Sequence, residues 1–146
     1  MPAKSLNDVK NTTLIQTKGF INGEWVDADS GGTFDVIDPA TLQRLTTLPE
    51  MNRSDTVKAI EAAHKAFKSY SKTSARQRAR MLRKWSDLCH ENLDDLALIL
   101  TLENGKTLAE AKGEVVYGAS FLEWFATQAE MYAHGAKDPS IPDCIV

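Results

Sequence analysis

The pattern of apolar and polar positions changes near Ser54. Before it, apolar residues come in short runs or alternate with polar ones; after it, they recur every three or four positions. The first element read from this pattern is a hairpin, with strands at Phe20-Ile21 and Glu24-Trp25-Val26 around Asn22-Gly23, a dipeptide that supplies the positive φ angles of a two-residue turn. A second extended run, residues 33–37, sets Phe34 and Val36 around Asp35. Gly31-Gly32 precedes it, and Asp38-Pro39 closes it because proline drives the preceding residue out of the helical region. Residues 42–48 carry the chain onward in extended form. Ribbons this short are marginal in water and need further strands or helices on one face.

In the second part, Val57, Ile60, Ala63 and Phe67 share one stripe of a helix that starts at Ser54 and runs to about Tyr70. Ser74 and Gln77 match a capping box, which opens a helix expected to bury Leu82, Trp85 and Leu88 or Cys89 and to end near Asn92. A third helix over residues 93–103 is closed by Asn104-Gly105, where glycine takes the left-handed conformation. Thr107 and Glu110 form a second capping box. The face that follows is Leu108, Ala111, Val115, Gly118 or Ala119, Leu122, Phe125, Ala129 and Tyr132, and it sustains the longest helix to Ala133. Phe121 and Trp124 fall outside that stripe, so the second half of this helix calls for cover on two sides. Cys144-Ile145-Val146, after the prolines at 139 and 142, read as the start of a strand without a partner in view.

Composition narrows the class. With 146 residues, 42% hydrophobic and 25% charged, the chain suits one globular unit rather than a disordered or fibrous one. A net charge of -3 provides no field to gather nucleic acid or an anionic membrane, so neither is expected as a partner. Cys89 and Cys144 lie far apart without metal-ligand or disulfide spacing, and residues 1–18 lack the apolar core of a targeting signal. A soluble protein of a reducing, cytoplasmic compartment is the expectation, with residues 1–18 a flexible arm, 19–135 the folded unit and 136–146 a connector leading into the strand. The basic run Lys72, Arg76, Arg78, Arg80, Arg83 and Lys84 reads as a solvated helix face, and His64, His90 and His134 have no partner at ligand spacing.

Strands followed by four helices make an α+β order by pattern alone. Four segments then carry a resemblance: Phe20-Ile21-Asn22-Gly23-Glu24-Trp25-Val26, Asp38-Pro39-Ala40-Thr41, Ala62-Ala63-His64-Lys65-Ala66-Phe67 and Leu102-Glu103-Asn104-Gly105-Lys106. In order and spacing they resemble the N-terminal part of the aldehyde dehydrogenase superfamily. Within it, Leu108-Ala109-Glu110-Ala111-Lys112-Gly113-Glu114-Val115 and Phe121-Leu122-Glu123-Trp124-Phe125-Ala126 look most like succinate-semialdehyde dehydrogenases. The resemblance implies an α/β fold, of which this chain holds the opening hairpin, extended strands and four helices, with the dinucleotide-binding domain incomplete. It also implies NAD(P)-dependent oxidation of a small-molecule aldehyde, here succinate semialdehyde to succinate in 4-aminobutyrate breakdown.

That chemistry needs a cysteine thiolate to attack the aldehyde, an amide donor for the oxyanion, a hydride acceptor and a carboxylate that activates water. The family's Pro-Trp-Asn, Glu-Leu-Gly-Gly and Asn-x-Gly-Gln motifs are not in this sequence, and neither Cys89 nor Cys144 stands in the nucleophile's context. No catalytic residue is assigned. NAD or NADP is implied by the family only, since no glycine-rich cradle follows a strand here. What the resemblance does place is a monovalent cation on the carbonyls of Val36 and Ile37 and the carboxylate of Glu103, for which a helix-end carboxylate in water stands as the other reading. It also places the mouth of a substrate tunnel at Gly113, Tyr117 and Phe121, against plain core packing of the two aromatics. Two functions stay open: an N-terminal fragment that is inactive without the remainder of the enzyme, and an interaction module that binds a full-length homologue.

Overall fold

The protein is described by a computed structural model over residues 4–133. Asn22 and Gly23 take φ angles of 55° and 84°, the left-handed pair that lets β1 (Gly19–Ile21) turn back on β2 (Glu24–Val26) with Phe20 opposite Trp25. A second antiparallel ribbon joins β3 (Thr33–Ile37) to β4 (Arg44–Pro49). Leu42, expected to begin the second of these strands, instead sits at φ 59° and donates its N–H to the Asp38 carbonyl at 2.8 Å, closing the turn. Pairing slips between Val36, opposite Thr46, and Ile37, opposite Arg44, so Leu45 is the extra residue of a bulge. Leu45 packs against the cluster of Val9, Leu98 and Leu102.

The helices begin and end where side chains satisfy their terminal backbone groups. Asn52 accepts N–H donors of Ser54 and Asp55, while Asp55 accepts from Asn52 N, and α1 (Arg53–Tyr70) starts there. The Ser74 and Gln77 box opens α2 (Ala75–Glu91). Asn92 alone separates it from α3 (Leu93–Asn104), which Gly105 ends at φ 83°. Thr107 and Glu110 cap α4 (Leu108–Ala133). The ensemble is a mixed α/β arrangement of two short ribbons and four helices, and among the described residues no helix is long and apolar enough to cross a membrane.

On α2 the expected face is rotated, and on α4 the expected stripe holds except at Phe125. The buried residues of α2 are Ala79 and Ser86, with Leu82 and Cys89 half-buried, whereas Trp85 is 59% exposed and Leu88 also lies outside. On α4 the buried positions are Ala111, Ala119 and Ala126, and Phe125 points away. The cause is the closeness of the pair: the Ser86 hydroxyl donates to the Ala119 carbonyl at 3.4 Å, a separation that leaves no room for an aromatic ring. Phe121 and Trp124 do lie off the buried stripe, as expected.

Residues 4–18, expected as a loose arm, are docked. Val9 is buried on Leu98 and Leu102, and the Asp95 carboxylate accepts the backbone N–H groups of Lys10 (3.1 Å) and Asn11 (2.7 Å). Asn11 Nδ2 adds a bond to Asn92 Oδ1 at 2.8 Å. A loop held by a residue so distant in sequence leaves no periodic trace of its own. By contrast, α1 is tied chiefly at its N-terminus, where Lys58 and Ser54 reach Asp29, and its stripe of Val57, Ile60 and Phe67 stays exposed. The connector and strand expected at 136–146, with His134 and Cys144, lie outside the described residues.

Candidate functional site

The turn after β3 is rigid because Asp38 builds it. Its buried carboxylate accepts the Ala40 N–H at 2.7 Å and the Thr41 hydroxyl at 2.9 Å, and its own N–H donates to Gln43 O at 2.9 Å. The Ala40 N–H first, then the Thr41 hydroxyl, holds this carboxyl below its ordinary range. Val36 and Ile37, at the end of β3, are thereby fixed in direction, and the bulge opposite them loosens the regular ladder at that point.

At the other end of the same region, Gly105 donates to Thr101 O at 2.9 Å and turns the chain out of α3. A Cβ on Gly105 would stand 2.9 Å from Pro39 Cγ, so the proline ring lies directly on the glycine. The turn that follows Val36-Ile37 and the loop that follows Glu103 are thus in contact. Glu103 itself is exposed. Lys106 is tied to Glu114 at 2.5 Å, leaving its ammonium engaged on the α4 side. Among the described residues no group of three His, Cys, Asp or Glu side chains is placed to hold a metal ion, so a cation here would rest on backbone carbonyls as well.

The other sequence-derived positions share the outward side of α4. Tyr117 and Phe121 pack edge to face with ring centroids 4.9 Å apart, both exposed, and the space beside Gly113 is open. Trp124 belongs to the same surface, three residues beyond Phe121 and seven beyond Tyr117, and is exposed too. Its spacing was the signal that could have joined it to the set. The structure therefore brings Gly113, Tyr117 and Phe121 together on one face. Val36 and Ile37 lie elsewhere, at the end of β3, where the following turn touches Gly105.

A third feature had no sequence signal. Between α2 and α4 a cleft of about 350 Å³ is lined by Arg83, Ser86, Asp87, Glu123 and Thr127. Four of its five lining residues are engaged with one another or with the helices: Ser86 Oγ lies 3.2 Å from Glu123 Oε1, Thr127 Oγ1 donates to Glu123 O at 3.0 Å, and Arg83 grips Glu130 through two bonds of 2.8 and 2.6 Å. His90 stands 3.7 Å from the same Glu123 oxygen. The arrangement ties two helices; the serine's single proton is shared between a carboxylate and a carbonyl, and no base among the described residues is placed to activate it as a nucleophile.

A family model described as the Aldehyde dehydrogenase family matches residues 25–143, most of the chain. The chain belongs to the aldehyde dehydrogenase family. A glutarate-semialdehyde dehydrogenase of Pseudomonas putida is 48% identical over 122 residues, covering 84% of this chain and 25% of the relative. A succinate-semialdehyde dehydrogenase [NADP(+)] of Schizosaccharomyces pombe is 50% identical over 132 residues, 87% of this chain and 26% of the relative. Among solved structures, a succinate-semialdehyde dehydrogenase from Burkholderia pseudomallei superposes with a TM-score of 0.82 at 48% identity, covering 94% of this chain and 28% of that one. This member of the family thus spans about a quarter of the length of the relatives it matches, in their N-terminal part.

Proposed function

We propose that the chain is the N-terminal portion of an NAD(P)-dependent dehydrogenase that oxidises a short semialdehyde carrying a terminal carboxylate, succinate semialdehyde first, to the dicarboxylic acid. The observation that carries this reading is identity near one half to relatives named for succinate and glutarate semialdehydes. In this reading the chain supplies scaffold and no chemistry. The dinucleotide finds no fit among the described residues: the junction from β4 into α1 runs through Glu50-Met51-Asn52 without glycine, and the Asn52 and Asp55 side chains already occupy the donors and the place an anion would take. Cys89 lies half-buried on a helix, and no hydrogen bond or ion pair among the described residues engages its thiol.

The carbonyls of Val36 and Ile37 with the carboxylate of Glu103 hold a monovalent cation that clamps the end of β3 to the end of α3. An all-oxygen donor set suits a hard cation, and the contact of Pro39 with Gly105 supports the closeness of the two loops. Gly113, Tyr117 and Phe121 form one wall of the entrance through which the aldehyde passes, supported by their common outward face. Two measurements test the whole. Purified chain, free of homologue, should not reduce NAD or NADP with succinate or glutarate semialdehyde; turnover would overturn its role as scaffold. The native product carrying this sequence should weigh several times 16.1 kDa; a stable native product of that mass would overturn its being a portion.

A further inference from the structure

We propose that Lys106 is a positioning residue: its ion pair with Glu114 ties the wall of the aldehyde entrance to the cation-holding end of α3, so that an occupied cation site orders the wall. The inference rests on the reading of both places given above and adds the connection between them. Every contact it uses lies inside the chain. Three consecutive residues after α3 each hold a different partner. Gly105, at φ 83°, would set a Cβ 2.9 Å from Pro39 Cγ, in the turn that follows Val36 and Ile37. Lys106 Nζ stands 2.5 Å from Glu114 Oε1, and the lysine side chain is 20% exposed. Thr107 donates its N–H and its hydroxyl to Glu110 at 3.1 and 2.8 Å.

Glu114, Tyr117 and Phe121 stand at i, i+3 and i+7 on α4, with Gly113 one residue earlier, so the lysine grips the N-terminal end of the stripe that carries the two rings. Asn104 alone separates Glu103 from the pinned run, and a segment held at each residue has little freedom to absorb a displacement. A cation that draws the Glu103 carboxylate toward the Val36 and Ile37 carbonyls therefore restricts the loop and, through Lys106, the first turns of α4. The other ion pair between these helices, Lys112 with Asp94 at 2.6 Å, sits at the opposite end of α3 and bypasses the loop. A methionine at 106 would keep the aliphatic stem and lose the grip, while Thr107 and Glu110 would still cap the helix.

Hydrogen exchange of the full chain, read in sodium chloride against choline chloride at equal ionic strength, tests the connection, with circular dichroism to confirm the folding of each variant. Sodium should slow exchange over residues 36–41, and over residues 111–117 by roughly fivefold. Lys106→Met and Glu114→Gln should each keep the first effect and abolish the second, while Lys106→Arg keeps both. Slowing confined to 36–41 in the unsubstituted chain, or slowing at 111–117 that survives Lys106→Met, overturns the proposal and leaves the cation site standing. Protection at 111–117 that Lys106→Met lowers equally in both salts marks a merely structural tie and overturns it too. No difference between the salts at any residue overturns the cation site and this proposal together.

Discussion

On the side toward α2 and α3, α4 presents Ala111, Ala119 and Ala126, each at 1% exposure or less; on the opposite side it carries Tyr117, Phe121 and Trp124, all between 45% and 66% exposed. Size and burial are inverted relative to an ordinary amphipathic helix, in which the large apolar side chains face the core. The small face lets α2 come close enough for a hydroxyl to reach a backbone carbonyl, so stability there depends on shape. Exposed rings contribute little to holding the chain together, and their surface is available for contact with something else. The two faces therefore divide the labour: one folds the chain, and the other is where the proposed aldehyde entrance lies.

The comparison breaks most visibly on its inner side. Leu102, buried with Val9 and Leu98 on α3, should cost about 2–5 kcal/mol when changed to alanine, read by urea unfolding. A value under about 1 kcal/mol would mean that this cluster does not anchor the fold. Ala119→Leu should follow at about 1–3 kcal/mol, because added methylenes must fit where Ser86 now touches the backbone. A neutral result there would show the seam to be loose. Gly105→Ala comes next, at about 1–2 kcal/mol for a side chain in the left-handed region. Its Cβ would also push on Pro39, so any rise in Tm with sodium or potassium concentration should shrink in the variant, provided the cation is bound where we propose.

What the sequence made legible follows from how local each cause is. Asn22-Gly23, the Ser74 and Thr107 caps and Gly105 act on their immediate neighbours, so the hairpin and the helix limits could be read directly from residue type. Facing was misread at Trp85 and Phe125 because a large apolar residue was equated with a buried one, while the actual packing selects small residues. The docking of Val9 and Asn11 escaped notice because its anchor, Asp95, lies 84 residues from Asn11. In the candidate site, Val36, Ile37 and Glu103 came only from resemblance. The touch of Pro39 on Gly105 is a tertiary contact that no spacing encodes.

Acid sharpens the comparison with a smaller effect. The N–H groups of Asn11 and then Lys10 hold the Asp95 carboxyl below its ordinary value of 3.8. A carboxyl depressed by folding contributes stability that is present above the unfolded value and is lost as pH falls through the folded one. Tm should thus decline below a pH of about 4, more steeply than in Asp95→Asn, which retains an acceptor oxygen without the charge. At neutral pH the variant should melt a few degrees lower. Equal acid slopes in the two proteins would remove Asp95 from the account of how the N-terminal turn is held.

The smallest effect on folding is expected where the rings are largest. Trp124→Ala should change unfolding free energy by no more than about 0.5 kcal/mol, since a ring 60% exposed has little packing to lose. Helix propensity favours alanine over tryptophan by a few tenths of a kcal/mol, so a slight gain is also compatible with the comparison. The reverse change, Ala126→Trp on the buried inner face of the same helix, cannot be accommodated without separating α2 from α4. If Trp124→Ala instead costs 2 kcal/mol or more, a loss of the size expected for a buried side chain, the ring has a packing partner within the chain. The outer face of α4 would then belong to the core, and Tyr117 and Phe121 would lose their claim to the tunnel mouth with it.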